Sequence, residues 1–296
     1  MYFAGSQGEE FDKTMLDMGC ARLFSQLNDR KQILKHLDLL KDKDNKLFID
    51  SGAFSAKNSG KHVDLDSYIA YINEIGERVT CFANLDIIPN SSDMVELARC
   101  AELGFNNFMT IQKECKYANK CMAVFHKGDP VEILYRYIYY YQQNPRLNFI
   151  SLGGIAGADP STATEFAAKY CDIIKQHLPN VKIHLFGYTR LNDLHYINCD
   201  SVDSTTWIKA SIYGTIITPW GRLNISDRRL AEKGSVHNYD HKSRAAVYDF
   251  VKTLGFDMTE LKTDPAKRIE YNVKYLLNWC ERYKYTPMKH RKKALI

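Results

Sequence analysis

The chain alternates short apolar runs of strand length with longer segments whose apolar residues recur at helical spacing. Met94, Leu97, Ala98 and Ala101, for example, follow the spacing of one face of a helix. Strands are predicted at 1–5, 46–50, 79–86, 121–126, 148–154, 182–187 and 199–205, with a further candidate at 214–218. Helices are predicted at 65–78, 92–104, 129–143, 159–177, 241–255 and 264–285, and helix is also favoured for 105–120.

Two of the predicted helices begin at an aspartate followed by a proline, Asp129-Pro130 and Asp159-Pro160. This order is typical of an N-cap acceptor and a proline in the first turn. Strands that alternate with helices imply parallel pairing with crossover connections. About eight such repeats in 296 residues favour an α/β fold, a (β/α)8 TIM-like barrel, over an open doubly wound sheet.

The pattern changes near residue 207. Residues 213–229 predict a hairpin or loop around Pro219-Trp220-Gly221, and two helices follow. We therefore divide the chain into a catalytic barrel core, 1–207, and a second part, 208–296, made of a barrel-closing segment and a basic helical extension. The last helix is expected to expose a basic face on the side opposite its apolar stripe. This basic face is formed by Lys267, Arg268, Lys274 and Arg282.

Composition excludes several classes of protein. With 45% hydrophobic and 25% charged residues, the chain has an ordinary globular composition. No signal segment opens the sequence and no apolar run approaches the ~18 residues that span a bilayer, so we expect a cytoplasmic protein without a membrane partner. The eight cysteines form no CxxC pair, which predicts that most of the thiols are reduced and gives no argument for a metal site.

The net charge of +5 is unevenly distributed. Residues 207–296 contain 18 lysines and arginines against 9 aspartates and glutamates, so the preceding residues carry a net negative charge. A solvated surface would account for this excess, and so would a polyanionic partner. Charge alone does not decide between the two.

Polar residues end several predicted strands, where a parallel barrel builds its active site. Asp50, Asp86 and Asp203 would converge on one rim, and such a cluster of acids raises the pKa of at least one member. A single aspartate at a strand end is more often a helix cap, but Asp50 is followed by Ser51-Gly52 and not by a helical pattern. The other polar or glycine positions at strand ends are Asn84, His126, Gly153, Gly154, His184 and Gly187.

Each of these positions also has an ordinary structural interpretation. His126 could be a core histidine, Phe54 and Phe186 could be core aromatics, and Gly153-Gly154 could be a tight turn or a place where backbone approaches a flat ligand. The chain has no HxH pair, which disfavours a metal-dependent hydrolase. It also has no GxGxxG or GxxxxGK[ST] loop, which disfavours nucleotide-cofactor chemistry, so no cofactor is expected.

Four motifs in order, DSGAF (50–54), SLGGIAG (151–157), HLFGYT (184–189) and DSTTW (203–207), resemble the tRNA-guanine transglycosylase superfamily. The short length, and DSGAF in place of the DSGGF or DSGGY of the tRNA enzymes, look most like its DNA-modifying branch, the 7-deazaguanine DNA transglycosylases often carried by bacteriophages. The resemblance covers about residues 46–207. It implies a pentosyltransferase that exchanges guanine in DNA for a free 7-deazaguanine base, such as 7-cyano-7-deazaguanine, in the host cytoplasm if the protein is phage-encoded.

The resemblance also implies roles for individual residues. Asp203 matches the nucleophile that attacks C1′ and forms a covalent sugar intermediate, and Asp50 matches the general acid and base. Retaining glycosidases use a comparable pair of carboxyl groups. Phe54 and Phe186 fall where the family sandwiches the purine, and the implied base-binding set is Ser51, Gly52, Phe54, Asp86, His126, Gly153, Gly154 and Phe186. We assign DNA phosphate contacts in the basic part to Arg222, Arg228 and Arg229.

One departure from the family bears on the substrate. The tRNA enzymes carry a C-terminal zinc site on a CxCxxC pattern with a histidine, whereas this chain has only Cys280 in the corresponding region. Two alternatives to DNA exchange remain, namely the same chemistry on tRNA and a non-catalytic barrel that binds nucleic acid. The missing zinc pattern disfavours the first, and the Asp50 and Asp203 pair disfavours the second. The sequence leaves the oligomeric state open.

Overall fold

The structure is a computed structural model that describes residues 1–6, 8–40, 45–226 and 235–286. The chain forms two compact units. The first comprises Tyr2–Ser204 together with the described residues 284–286, and the second comprises Thr205–Tyr283. Among the helices of the described residues, none combines the length and the apolar character that a membrane span requires.

The first unit is a closed barrel of eight parallel strands that pair in chain order, with β8 pairing back onto β1. This confirms the predicted (β/α)8 TIM-like fold. The strands are β1 Tyr2–Ala4, β2 Ala21–Ser25, β3 Leu47–Asp50, β4 Cys81–Ala83, β5 Cys121–His126, β6 Phe149–Gly153, β7 Lys182–Leu185 and β8 Ser201–Ser204.

Helices connect the strands of the barrel. Asp64, Asp93 and Asp159 cap three of them by accepting hydrogen bonds from first-turn amides. The helix that begins at Met94 continues to Glu114, as favoured for most of 105–120. These helices are α1 Glu9–Asp17, α2 Gln26–Leu39, α3 Ala53–Ser59, α4 Leu65–Ile75, α5 Met94–Glu114, α6 Val131–Gln143, α7 Pro160–His177 and α8 Leu191–Leu194.

Two strand predictions need correction. The sequence pattern does not predict β2, Ala21–Ser25, which belongs to the barrel, whereas the further candidate at 214–218 forms a strand outside the barrel. Arg22 interrupts the apolar pattern of β2, yet this side chain is fully buried and pairs at 2.8 Å with the buried carboxylate of Asp12. The charge of Arg22, which interrupts the strand pattern, is therefore neutralised by Asp12 of α1. A local sequence pattern does not reveal this pairing.

The barrel interior is filled by alternate residues of the strands. Tyr2, Leu23, Phe48 and Val124 belong to one buried cluster, and Phe186 packs against it. Side chains two positions apart in a strand point to the same side. Residues that follow these interior positions at the carboxyl ends of the strands therefore face the barrel mouth.

The second unit contains a two-stranded antiparallel hairpin and four helices within its described residues. β9, Thr215–Thr218, pairs with β10, Gly221–Asn224, across Pro219-Trp220, which confirms the predicted hairpin; β9 takes no part in the barrel. Arg268 was expected on an exposed basic face, but it is buried and donates to the carbonyls of Ser211 and Leu261. The elements are α9 Thr206–Ile212, β9 Thr215–Thr218, β10 Gly221–Asn224, α10 His241–Thr253, α11 Met258–Thr263 and α12 Pro265–Arg282.

Candidate active site

Strand register brings the predicted acids to one end of the barrel. Asp50 ends β3 two residues after the interior Phe48 and pairs in register with Ser25 of β2. Asp203 lies in β8 opposite Tyr2 of β1. Both carboxyl groups therefore lie at the carboxyl ends of the strands, where barrel enzymes carry their chemistry.

Asp50 is a half-buried acid with an unusual proton affinity. Burial raises its pKa, and the charges of Asp86 and Asp203 raise it further, to about 7. Hydrogen bonds from the amide of Gly52, at 3.1 Å, and from Ser25 act in the opposite direction but do not offset the increase. Asp50 can therefore donate and accept a proton near neutral pH.

Gly52 is needed for the backbone turn that follows Asp50. Its φ is +83°, and a Cβ at this position would lie 2.6 Å from Cβ of Leu27. Only glycine adopts this left-handed conformation at low cost while avoiding the contact. The turn directs the Gly52 amide back to the carboxyl group of Asp50 and begins α3.

Asp86 and His126 belong to one hydrogen-bonded chain. The hydroxyl of Ser51 donates to Oδ1 of Asp86 at 2.9 Å, and Nε2 of His126 lies 2.9 Å from Oδ2 of the same carboxylate. On the other side of the imidazole, Nδ1 lies 3.7 Å from Oδ2 of Asp129. The chain Ser51, Asp86, His126 and Asp129 thus runs along the rim from the end of β3 to the loop after β5.

The two flanking carboxylates keep His126 protonated. Burial alone would lower the pKa of this imidazole, but the carboxylates of Asp129 and Asp86 outweigh this effect and raise the pKa to about 10. Gly153 lies beside the ring, because a Cβ there would be 2.6 Å from Cδ2 of His126. Gly154, with φ of +69°, completes the turn next to it. The glycine pair therefore leaves room for the imidazolium.

Asp203 is buried and its Oδ1 is anchored from β7. The amide of Gly187 donates to Oδ1 at 2.7 Å, and Nε2 of His184 lies 3.3 Å from the same oxygen. Gly187 has φ of +65°, and a Cβ there would be 2.8 Å from Cβ of Ala156. This tight turn presents the amide to Asp203, and such donors stabilise a carboxylate.

The two predicted aromatic residues differ in their surroundings. Phe186 is half-buried and its ring packs edge-on against His184 at 4.7 Å. Phe54, in the first turn of α3, is 65% exposed. Of these two described rings, only Phe186 contacts another ring, so the structure does not close them into a sandwich.

The structure also identifies residues that the sequence predictions missed. The Asp-Pro pattern predicts a helix cap at Asp129, but the carboxylate of Asp129 accepts from the amide of His126, and the N-cap residue of α6 is Pro130. His184 was noted at a strand end without a role, although its position beside Asp203 makes it part of the site. The alternation of β7 could have placed His184 inside the barrel, whereas the Asp-Pro pair pointed to the wrong role for Asp129.

The predicted phosphate contacts fall in the second unit. Arg222 is exposed on β10. Arg228 and Arg229 lie outside the described residues. Within the described ranges, no three histidine, cysteine, aspartate or glutamate side chains are grouped so that they could hold a metal ion.

Comparisons with protein-family models and with curated proteins give no match to this chain. The similarity of the four motifs to transglycosylases therefore remains a prediction. Three groups lie at one end of the barrel. Asp50 is a carboxyl group that titrates near neutral pH, Asp203 is a carboxyl group anchored through one oxygen, and His126 is an imidazolium held by two carboxylates. This arrangement suits proton transfer combined with nucleophilic attack.

Proposed function

We propose that this protein is a transglycosylase that exchanges guanine in DNA for a 7-deazaguanine base through a covalent aspartyl-sugar intermediate. The observation that carries the proposal is the placement of two carboxyl groups, Asp50 and Asp203, at the carboxyl ends of β3 and β8. Burial, the charge of Asp86 and, to a smaller extent, the charge of Asp203 raise the pKa of Asp50. Two acids with divided tasks, one proton donor and one nucleophile, are what displacement at a glycosidic carbon requires.

In the first half-reaction, a carboxylate oxygen of Asp203 bonds to C1′ as the bond from C1′ to guanine N9 breaks. Asp50, in its acid form, gives its proton to the departing purine, so guanine leaves as a neutral base. In the second, N9 of the 7-deazaguanine attacks C1′ and displaces Asp203, while the Asp50 carboxylate accepts the N9 proton. Both carboxyl groups return to their starting states, and no other reactant is consumed.

The polar rim would bind the base. His126 offers an imidazolium fixed by Asp86 and Asp129, and Gly153 leaves the space beside it open. The half-buried ring of Phe186 offers a stacking surface. A target nucleotide must leave the DNA stack to reach such a site, as in other enzymes that act on a base.

DNA is proposed as the polynucleotide because residues 207–296 carry the excess of basic side chains and lack the zinc pattern of the tRNA enzymes. The test incubates the protein with guanine-containing DNA and 7-cyano-7-deazaguanine, digests the DNA to nucleosides and quantifies the deaza nucleoside by mass spectrometry. Transfer RNA is run in parallel. Product from DNA alone supports the proposal, and product from tRNA alone reassigns the substrate.

Variants separate catalysis from binding. Asp203→Asn is expected to abolish exchange while DNA affinity stays equal or increases, because one negative charge is removed from the site. Asp66→Asn changes an exposed aspartate in the first turn of α4 and serves as the matched control. Exchange by Asp203→Asn at the control rate would refute the assignment of the nucleophile. DNA binding without exchange by the wild-type protein would favour a non-catalytic barrel.

A further inference from the structure

His184 is a polar ring enclosed in the aromatic interior of the barrel. Its side chain is fully buried, and its ring packs edge-on against Tyr2, Phe48 and Phe186, with centroid distances of 5.8, 5.0 and 4.7 Å. A purely packing role would be filled by an apolar side chain at lower cost, because each buried ring nitrogen must find a partner. The groups that face its two ring nitrogens therefore indicate the role of His184.

Both nitrogens of His184 face residues of the neighbouring β8. Nδ1 lies 2.9 Å from the hydroxyl of Ser201, and Nε2 lies 3.3 Å from Oδ1 of Asp203. Nε2 is buried and makes no hydrogen bond of good geometry to any described residue, Asp203 included. The 3.3 Å approach to Oδ1 of Asp203 is the polar contact that the structure gives this nitrogen, and it is an ion-pair distance that the ring must close to form a hydrogen bond.

The surroundings select one tautomer of the ring. A carboxylate can only accept, so Nε2 must carry a proton for its contact with Asp203 to be favourable. Nδ1 can then accept from Ser201, since a hydroxyl group can donate as well as accept. The order of donation is Ser201 to His184 and His184 to Asp203, and a neutral imidazole satisfies it.

The two oxygens of Asp203 are consequently not equivalent. Oδ1 accepts from the amide of Gly187 at 2.7 Å and also faces Nε2 of His184. Among the described residues, the amide of Gly187 is the one hydrogen-bond donor that the structure gives Asp203. Two contacts from β7 and the loop after it thus fix Oδ1, which leaves Oδ2 for bond formation.

We propose that His184 is a positioning residue of the exchange reaction, whose Nε2–H holds Oδ1 of Asp203 so that Oδ2 faces C1′ of the nucleotide. The inference rests on the proposed transglycosylase function. The same ring supports Phe186, so one residue sets both the orientation of the nucleophile and the position of a surface on which the base would stack. Orientation of this kind matters because small misplacements of a reacting atom slow a reaction strongly.

The kinetic test compares His184→Phe with His184→Gln, with the wild-type protein as reference. Phenylalanine keeps the ring packing and removes the donor, whereas glutamine can place an amide N–H near the position of Nε2. We expect His184→Phe to lower kcat for exchange about 100-fold with KM for DNA and for 7-cyano-7-deazaguanine unchanged. We expect His184→Gln to recover most of that loss. Circular dichroism and thermal unfolding verify that each variant is folded.

A folded His184→Phe with wild-type kcat would overturn the inference, and so would equal losses in the two variants. A second measurement needs no substitution at this site: ¹⁵N NMR of the wild-type protein reports which nitrogen of His184 carries the proton. A protonated Nε2 is expected, and a protonated Nδ1 with a bare Nε2 would overturn the inference even if exchange proceeds.

Ser201→Ala provides a milder variant that keeps the imidazole. It is expected to lower kcat because the hydroxyl that fixes the tautomer is gone, and unchanged kcat with an unchanged tautomer would contradict the proposed order of donation. Absence of exchange by the wild-type protein with the Nε2 proton in place would instead refute the transglycosylase function itself. The two failures are therefore distinguishable.

Discussion

Asp50→Asn should stabilise the protein at alkaline pH while abolishing exchange. The pKa of Asp50 is about 7 in the folded protein against an ordinary value of 3.8. Below pH 3.8 the group is protonated in both the folded and the unfolded states and has no effect. As pH rises from 3.8 to 7, the unfolded state ionises first and gains stability, so the folded state is penalised until the penalty is complete above pH 7.

The size of the penalty follows from the two pKa values, since one pKa unit corresponds to about 1.4 kcal/mol. Ionisation of Asp50 therefore costs about 4 kcal/mol at pH 8 and about 2 kcal/mol at pH 5. Asparagine carries no charge at either pH, and its side-chain oxygen can still accept from the amide of Gly52. The advantage of the variant in free energy of unfolding should thus grow by about 2 kcal/mol between pH 5 and pH 8.

The assay is equilibrium unfolding by urea at pH 5 and pH 8 for wild type, Asp50→Asn and the control Asp66→Asn. The control changes an exposed group and should stay within about 0.5 kcal/mol of wild type at both pH values. An advantage of Asp50→Asn that is the same at both pH values would refute the raised pKa. If Asp50→Asn is less stable than wild type at pH 8, the ionised carboxylate of Asp50 stabilises the folded state, which contradicts a raised pKa.

Three further predictions concern the rest of the site and the basic unit. Asp129→Asn should lower the pKa of His126 from its value of about 10, because the carboxylate of Asp129 is the largest influence that raises it; NMR titration of the imidazole measures this, and an unmoved pKa would contradict it. Gly153→Ala should raise KM for the free base, since the new Cβ would displace His126, whereas Gly104→Ala, where a Cβ would only reach ordinary contact at 3.8 Å, should not; equal KM values for the two variants would argue against the arrangement. Arg222→Ala should weaken DNA binding for all sequences alike and reduce the slope of log K against log salt by about 1, and a salt slope equal to that of wild type would remove Arg222 from the phosphate contacts.

The barrel could be predicted because its signal is repeated. Most strand-and-helix units show the change from a short apolar run to helical periodicity, and errors in single units do not alter the repeat. β2 was missed because its pattern is interrupted by Arg22, whose charge is neutralised by Asp12 from another element. Arg268 was placed on the wrong face for the same reason, since carbonyl groups of Ser211 and Leu261 satisfy it in the interior.

The candidate site likewise contains residues that the sequence could predict and residues that it could not. The strand-end rule placed Asp50, Asp86 and Asp203 together, because it depends only on register and parallel topology. The role of Asp129 could not be predicted, since an aspartate before a proline has the same sequence pattern whether it caps a helix or binds a histidine. The selective anchoring of Oδ1 of Asp203 depends on distances across β7 and β8 that no local pattern contains.

Trapping the covalent aspartyl-sugar intermediate tests the proposed function most directly. The protein is mixed with a guanine-containing oligonucleotide without free base, quenched in acid, and examined by intact-mass spectrometry before and after a chase with 7-cyano-7-deazaguanine. The covalent mechanism predicts an adduct between protein and oligonucleotide that maps to Asp203 and disappears in the chase as the deaza nucleoside forms. Deaza nucleoside without any adduct, or an adduct that persists in Asp203→Asn, would contradict it.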